Sequence, residues 1–455
     1  MASFDTHDNH DREGNGRTTG ARTLLVVPVL TREPRNDDHG SGARPRLPRS
    51  PEARREEALG LANAIALDVV ADAVVMLADP RPATLLGSGK VAEFAETVAD
   101  QKIELVIVDH ALTPVQQRNL ERELKAKVLD RTGLILEIFG ERARTKEGTL
   151  QVELAHLEYQ KGRLVRSWTH LERQRGGAGF LGGPGETQIE ADRRLLQDKI
   201  IKLKRELETV RRTRTLHRAK RKKVPFPVVA IVGYTNAGKS TLFNRMTGAG
   251  VLAEDQLFAT LDPTLRRLRL PHGTPVILSD TVGFVSDLPT HLVAAFRATL
   301  EEVLEADLIL HVRDIADPDT AAQAEDVERI LQDLGVEPGD RGMIEVWNKI
   351  DLLPDEDRAQ LRVNAEGEAT PKVAISAMSG EGIDKLSALI EREVAGEIVT
   401  AQLVLAPAQL GQLGWIYANS EVASRTDEED GSVAFELRLT RQAAEELDER
   451  LSQGR

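Results

Sequence analysis

Apolar runs and spaced apolar positions alternate along this chain from residue 23 onward. Thr23–Leu30 is a continuous apolar run, the pattern of a strand buried on both faces. Helical spacing follows at Glu52–Ile65, then an apolar strand at Ala73–Leu77. A helix at Val91–Ala99, a strand at Leu105–Asp109, a helix over Thr113–Lys127 and a strand around Val128 continue the alternation. This order predicts a small parallel-sheet α/β domain. Residues 133–175 read as mainly helical and strongly charged. From Glu186 to Lys223, Leu195, Leu196, Ile200, Leu203 and Leu207 recur at helical spacing. They predict an apolar stripe packed in a helical hairpin with residues 150–172. Residues 1–20 read as a disordered tail, and residues 32–50, rich in Arg, Pro, Asp and Gly, as a mobile loop.

A second alternation begins after Pro225-Phe226-Pro227. Val228–Val232, Val276–Leu278, Ile344–Trp347 and Val373–Ile375 are short apolar runs, each followed by polar residues. Leu265–Leu270, the turn Pro271–Pro275 and Val276–Ser279 predict a hairpin, hence one antiparallel strand in an otherwise parallel sheet. Farther on, Leu403–Leu405 and Val433–Leu439 read as strands, with helices from Ala408 and Arg441. The fold class expected is α/β. It comprises an N-terminal parallel α/β domain (21–149), a helical hairpin (150–223), a phosphate-loop domain with a mixed, mainly parallel sheet (224–397) and a small C-terminal α+β domain (398–455). A length of 455 residues suggests about three domains at roughly 150 residues each.

The chemistry lies where the second set of strands ends. Gly233, Tyr234, Thr235, Asn236, Ala237, Gly238, Lys239 and Ser240 fit the pattern G-x-x-x-x-G-K-[ST], between an apolar strand and a helix-like stretch opening at Thr241. Its glycines let successive N–H groups approach phosphates at a helix N-terminus, whose dipole favours negative charge. Lys239 would reach the β- and γ-phosphates and Ser240 would ligate Mg²⁺. Asp280, Thr281, Val282 and Gly283 follow the next strand; the Asp280 carboxylate can hold Mg²⁺ through water, and the Gly283 N–H can sense a γ-phosphate. Lys239 and Gly283 are the groups expected to act on the transferred phosphate. Asn348, Lys349, Ile350 and Asp351 end a further strand. Asp351 can accept from the guanine N1–H and exocyclic amine; adenine offers neither donor and would leave the carboxylate unpaired. Ser376, Ala377 and Met378 would support the base edge. Any one of the last three segments is a weak signal. Four in order at strand C-terminal ends define a guanine-nucleotide site. A kinase is disfavoured, because no acceptor site is evident.

Composition narrows the setting. With no cysteine, disulfides and cysteine-ligated zinc are excluded, and a reducing, cytoplasmic compartment is expected. The N-terminal residues lack a basic and then apolar signal. The long apolar stretch Ala58–Leu77 contains Asn63, Asp68 and Asp72, so it reads as helix then strand and not as a membrane span. Gly87-Ser88-Gly89-Lys90 has half the phosphate-loop pattern but lacks the upstream glycine, and reads as a turn capping the next helix.

A net charge of −13 argues against uniform coating of nucleic acid. One segment departs from it. From Arg211 to Lys223 stand eight basic residues and no acid: Arg211, Arg212, Arg214, Arg218, Lys220, Arg221, Lys222 and Lys223. That density in an acidic chain points to phosphate contacts on RNA, against the plainer reading of a solvated face. Few aromatics accompany it, so base stacking contributes little. The glycine-rich stretch Gly176, Gly177, Gly179, Phe180, Gly182, Gly183 and Gly185 reads either as a flexible linker or as a loop that approaches RNA with Phe180 at its tip.

Taken with Asp130–Phe139, the glycine stretch running into Gly185-Glu186-Thr187-Gln188, and Phe258–Thr264, the chain resembles the HflX family of ribosome-associated GTPases over about residues 21–400. That resemblance implies that Phe258, Ala259, Thr260, Leu261 and Asp262 form the first switch, with Thr260 as the second hydroxyl ligand of Mg²⁺. Sequence alone offers Thr260 or Thr264. It also implies that Asn236 helps hold a potassium ion; the plainer role for Asn236 is bracing its own loop. The partner implied is the large ribosomal subunit and its rRNA, and the role implied is splitting of stalled or idle ribosomes. Nothing in the sequence demands more than a monomer. Phe284 follows Gly283 where Ras-like enzymes place a water-orienting glutamine, so turnover without a partner should be slow. Two other roles stay open: a GTPase acting on a different RNA client, and an RNA-binding scaffold whose nucleotide is structural.

Overall fold

The computed structural model describes residues 20–31, 49–174, 184–221, 226–249, 257–258, 263–288, 297–336, 342–364, 371–395, 398–428 and 430–453. The expected tail, most of the 32–50 loop, Gly176, Gly177, Gly179, Phe180, Gly182, Gly183, Lys222, Lys223 and the switch residues Ala259, Thr260, Leu261 and Asp262 lie outside these residues. The described chain forms two compact units. One comprises most of residues 1–138 and the other comprises residues 38–53 and 139–455.

In the first unit a four-stranded parallel sheet runs in the order β2-β1-β3-β4. Its strands are β1 (Arg22–Leu30), β2 (Asp68–Leu77), β3 (Leu105–Val108) and β4 (Lys127–Asp130). Between them come α1 (Pro51–Asn63), α2 (Ser88–Asp100) and α3 (Pro114–Leu124). β1 is central, and Leu24 to Val27 are at most 1% exposed, as its unbroken apolar run requires. β2 starts five residues before the expected Ala73, because its Asp72 points to an exposed pairing with Arg55 and so does not break the strand. Thr113 opens α3 with a reciprocal capping box to Gln116, and Pro114 takes the first helical position. Gly87 caps α2, while Lys90 pairs with Glu93 at 2.8 Å; the half phosphate-loop motif is a helix start.

α4 (Arg131–Arg142) carries the chain from the first unit into the second. There α5 (Lys146–Gln174) and α6 (Pro184–Arg221) form a hairpin cored by Leu150, Leu157, Ile200, Leu203 and Leu207. Leu195 is not part of that stripe but 60% exposed. It stands one residue, about 100° around the helix, from Leu196, which does pack. Pro184 and Gly185 belong to the first turn of α6 and not to the glycine stretch, since proline is preorganised for a helix start.

The nucleotide domain is built on a six-stranded sheet in the order β10-β9-β8-β5-β7-β6. The strands are β5 (Val228–Gly233), β6 (Thr264–Arg269), β7 (Pro275–Asp280), β8 (Leu308–Asp314), β9 (Gly342–Asn348) and β10 (Lys372–Ala374). Only β6 runs antiparallel, paired with β7 from Thr264↔Asp280 to Arg269↔Pro275 as the hairpin pattern predicts. Helices α7 (Lys239–Thr247), α8 (Arg297–Leu304), α9 (Thr320–Asp333), α10 (Asp355–Asn364) and α11 (Ile383–Ala395) accompany it. The core is almost wholly aliphatic and includes Val229, Ile231, Leu278, Leu310 and Ile344, with Phe243 from α7. β5 lies between β7 and β8, so the C-terminal ends of three neighbouring strands converge on one edge.

The chain ends in a three-stranded antiparallel sheet in the order β11-β13-β12, from β11 (Ile398–Leu405), β12 (Glu421–Asp427) and β13 (Val433–Thr440). α12 (Leu413–Asn419) and α13 (Arg441–Gln453) complete it. β12 was not legible in the pattern, because Ala423 to Asp427 face solvent at an edge and the strand carries little apolar periodicity. No helix among the described residues is long and apolar enough to cross a membrane.

Candidate nucleotide site

β5 ends at Gly233, and the chain turns through Tyr234–Gly238 into α7. Gly238 has φ +90°, and a Cβ there would lie 2.2 Å from Asn348 Nδ2, so no other residue fits. Asn236 is exposed with φ +60°, a left-handed conformation that asparagine tolerates. Ala237 is buried beneath the turn. This places the backbone N–H groups of the loop at the start of α7, where Thr241 is half-buried in the first turn.

Lys239 is 6% exposed and donates from Nζ to the Tyr234 carbonyl oxygen at 2.6 Å. Burial pushes its ammonium down to about 8; Asp280 opposes that shift and Lys349 adds to it. Ser240 Oγ donates to Asp280 Oδ2 at 2.7 Å, so the two groups predicted to hold Mg²⁺ already touch. The Thr281 hydroxyl turns away and donates to the Ile231 carbonyl at 2.6 Å, pinning β7 to β5. Val282 is buried. Gly283 lies hard against the loop: a Cβ there would meet Thr235 Cγ2 at 2.7 Å and Lys239 Nζ at 3.0 Å. The Thr235 hydroxyl is buried with no hydrogen-bond partner among the described residues.

Phe284 is buried beside the loop. Its ring is 1% exposed, and its backbone pairs with the loop: Thr235 N–H donates to the Phe284 carbonyl at 2.7 Å, and Phe284 N–H to that of Gly233 at 3.1 Å. Phe258, at the start of the expected first switch, is also buried, with φ +58°. Its ring meets Phe139 edge to face, centroids 4.7 Å apart, in the same compact unit.

The segments expected to read the base meet this loop through Asn348. Asn348, at the end of β9, donates from Nδ2 to the Ala237 carbonyl at 2.8 Å and accepts from Ala377 N–H at 2.9 Å. Its amide is a brace between two loops. Lys349 has φ +67° and pairs with Asp314 at 2.7 Å. Asp351 sits in a short 3₁₀ turn, held through its carbonyl by Arg358 at 2.7 Å, and its carboxylate has no partner among the described residues. Ser376 is fully buried, its Oγ accepting from Ser379 N–H at 3.0 Å. Met378 is 71% exposed on the rim.

Two contributors carry no local motif. Arg245, in the last turn of α7, donates to the Ala377 carbonyl at 3.1 Å and to that of Met378, tying the loop after β10 to the helix after the phosphate loop. Arg49, 185 residues before Tyr234, donates to the Tyr234 hydroxyl at 2.8 Å. Of the expected RNA-contact residues, Arg212 is exposed on α6 and pairs with Glu208 at 3.2 Å; Arg211, Lys220 and Arg221 lie in the same helix.

Residues 228–349 match the family model described as "50S ribosome-binding GTPase". Residues 52–140 match "GTP-binding GTPase N-terminal" and 142–221 "GTP-binding GTPase Middle Region". Residues 360–455 match "HflX C-terminal domain". The GTPase HflX of Magnetococcus marinus is 51% identical over 376 residues, covering 82% of this chain and 85% of that protein. The GTPase HflX of Escherichia coli is 47% identical over 361 residues, covering 79% and 83%. Among solved structures, a GTP-binding protein from Sulfolobus solfataricus in complex with GDP is 23% identical with a TM-score of 0.42, covering 82% of this chain and 98% of that one. The phosphate loop, the guanine-type motif and this extent of identity lead to one assignment: the chain belongs to the HflX family of GTPases and hydrolyses GTP.

Proposed function

We propose that this GTPase is a switch that binds the large ribosomal subunit when loaded with GTP and splits stalled or idle ribosomes. The observation that carries the switch is Gly283 packed within a Cβ's reach of Lys239 Nζ and Thr235. A phosphate bound at Lys239 lies beside the Gly283 N–H, so its presence or loss acts directly on the segment that follows. The name of the matched family, 50S ribosome-binding GTPase, supports the choice of partner. The basic end of α6 supplies the charge for phosphate contacts with rRNA, joined by the glycine stretch ahead of it.

The donor set fits Mg²⁺: a serine hydroxyl and a carboxylate 2.7 Å apart are hard oxygen ligands, and waters and phosphate oxygens complete such a site. When bound, the ion neutralises charge developing between the β- and γ-phosphates. We assign Ser240 and Thr260 as direct ligands and Asp280 as a ligand through water. Lys239 supplies a second positive charge, and Asp351 reads guanine. We assign Asn236 to a potassium ion; equal turnover in sodium and potassium removes that assignment. The phenylalanine at position 284 has no group to orient an attacking water, so catalysis draws on a ribosomal group or an ion.

The test is GTP turnover in potassium buffer with and without purified large subunits, beside sedimentation of intact ribosomes with GTP. Strong stimulation and separation of the subunits are expected. Turnover indifferent to large subunits, with equal ribosome affinity in the GTP and GDP forms, overturns the switch in favour of a scaffold.

A further inference from the structure

Tyr234 is where the phosphate loop meets the chain after Gly283. Its carbonyl accepts from Lys239 Nζ at 2.6 Å. Its backbone forms a parallel bridge with Phe284. Its hydroxyl accepts from Ser286 N–H at 2.6 Å. One buried residue thus meets Lys239 through its backbone carbonyl and the segment after Gly283 through its backbone and its hydroxyl.

The same hydroxyl accepts from Arg49 Nη1 at 2.8 Å, and the guanidinium carbon lies 5.3 Å from the ring centroid. Arg49 Nε is 3.7 Å from Asp319 Oδ2, between β8 and α9, with both side chains at most 15% exposed. A planar guanidinium that lies over a ring at 5.3 Å, donates to its hydroxyl and is paired with a carboxylate at 3.7 Å holds that ring in a way a lysine cannot reproduce. Arg49 belongs to the same compact unit as the loop, although it stands just ahead of α1 in the chain. The loop's own shape is already held by Gly238 and the Asn348 brace. Through Tyr234, Arg49 bears on the register between Lys239 and the segment 283–286.

We infer that Arg49 is a positioning residue for GTP hydrolysis, acting through the Tyr234 hydroxyl to hold the Gly283–Ser286 segment against Lys239. The inference rests on residues 233–241 being the phosphate loop. Arg49 is not among the residues assigned to hold nucleotide, so hydrolysis should suffer more than GDP binding.

The experiment compares single-turnover GTP hydrolysis and GDP affinity in the full chain and in Arg49→Met, Arg49→Lys, Tyr234→Phe and the Arg49→Met/Tyr234→Phe double variant. Arg49→Met and Tyr234→Phe should each slow hydrolysis by about tenfold, the weight of one charge-assisted hydrogen bond. The double variant should be no slower than either single one, with GDP affinity held within about threefold. Arg49→Lys, which keeps charge without the fork, should recover part of the rate. A wild-type rate in Arg49→Met, a double variant slowed by the product of the two effects, or an equal loss of GDP affinity overturns the inference. Lys239→Ala separates the underlying premise: normal hydrolysis in that variant overturns the phosphate-loop assignment together with the inference.

Discussion

Ser240 Oγ donates to Asp280 Oδ2 at 2.7 Å, joining the first turn of α7 to the end of β7. The two residues stand 40 positions apart, and the parallel pairing of β5 with β7 brings them together. In this arrangement the hydroxyl occupies the carboxylate, and a divalent ion on the hydroxyl would replace a bond already in place.

That bond predicts unequal roles. Ser240→Ala removes the hydroxyl proposed as a direct ligand and should raise the Mg²⁺ concentration for half-maximal GTP hydrolysis by at least about tenfold. Asp280→Asn keeps a hydrogen-bond acceptor but loses the charge, and should weaken Mg²⁺ further. Mg²⁺ titrations of hydrolysis rate check both. A Ser240→Ala enzyme with unchanged Mg²⁺ dependence would remove Ser240 from the ligand set.

Much of this site was legible because phosphate chemistry constrains consecutive residues: Gly238, Lys239 and Ser240 must be neighbours for the loop to close on an anion. Asp280 and Asp351 were legible for a related reason, each ending an apolar run. Asn348 was legible as a motif but not in its work, since an amide can face either a base or two backbone groups, and only the fold chooses. Arg245 and Arg49 were hidden for a different reason. Each acts through a carbonyl or a hydroxyl far away in sequence, and an arginine in a charged segment has no local signature. β12 shows the same limit in the fold, because an exposed edge strand needs no apolar alternation.

Lys239 should take up a proton when nucleotide binds. In the free protein burial holds its ammonium near 8. Bound phosphates favour the charged form and raise that value. At pH 8 about half of the free protein lacks this proton and acquires it on binding, whereas at pH 6.5 almost none does. Affinity should therefore fall as pH rises above 8. Calorimetry of GDP binding at pH 8.5 in buffers of different ionisation enthalpy measures the uptake. No uptake there would mean that Lys239 stays charged in the free protein.

His311 gives the nucleotide domain an acid limit. It pairs with Val232 in the β8–β5 register, is 2% exposed, and its Nε2 has no hydrogen-bond partner among the described residues. Burial above all, with Arg313 and Lys239 adding and Glu345 opposing, pushes its imidazole down to about 4. The folded state thus binds this proton more weakly than the unfolded chain. Nothing is lost above pH 6.5, and stability declines as pH falls from 6.5 to about 4, by up to ~3 kcal/mol. Denaturant unfolding from pH 7 to 4 should show that decline, and His311→Gln should flatten it. A variant with an unchanged pH slope would assign the loss to other groups.

Phe284 decides whether this enzyme can be made to resemble a Ras-like one by a single substitution, and its burial argues that it cannot. The ring fills the interior at 1% exposure while the backbone on either side is tied to Gly233 and Thr235. Phe284→Gln would exchange a packed ring for a buried amide with no partner assigned to it, at a cost of about 3 kcal/mol. The glutamine would inherit the direction of the phenyl group and not that of an attacking water. Intrinsic hydrolysis should therefore stay at or below the wild-type rate, while the urea midpoint falls. A faster Phe284→Gln enzyme would show that this side chain can swing out to the phosphates, which would make position 284 a movable part of the switch and not part of the core.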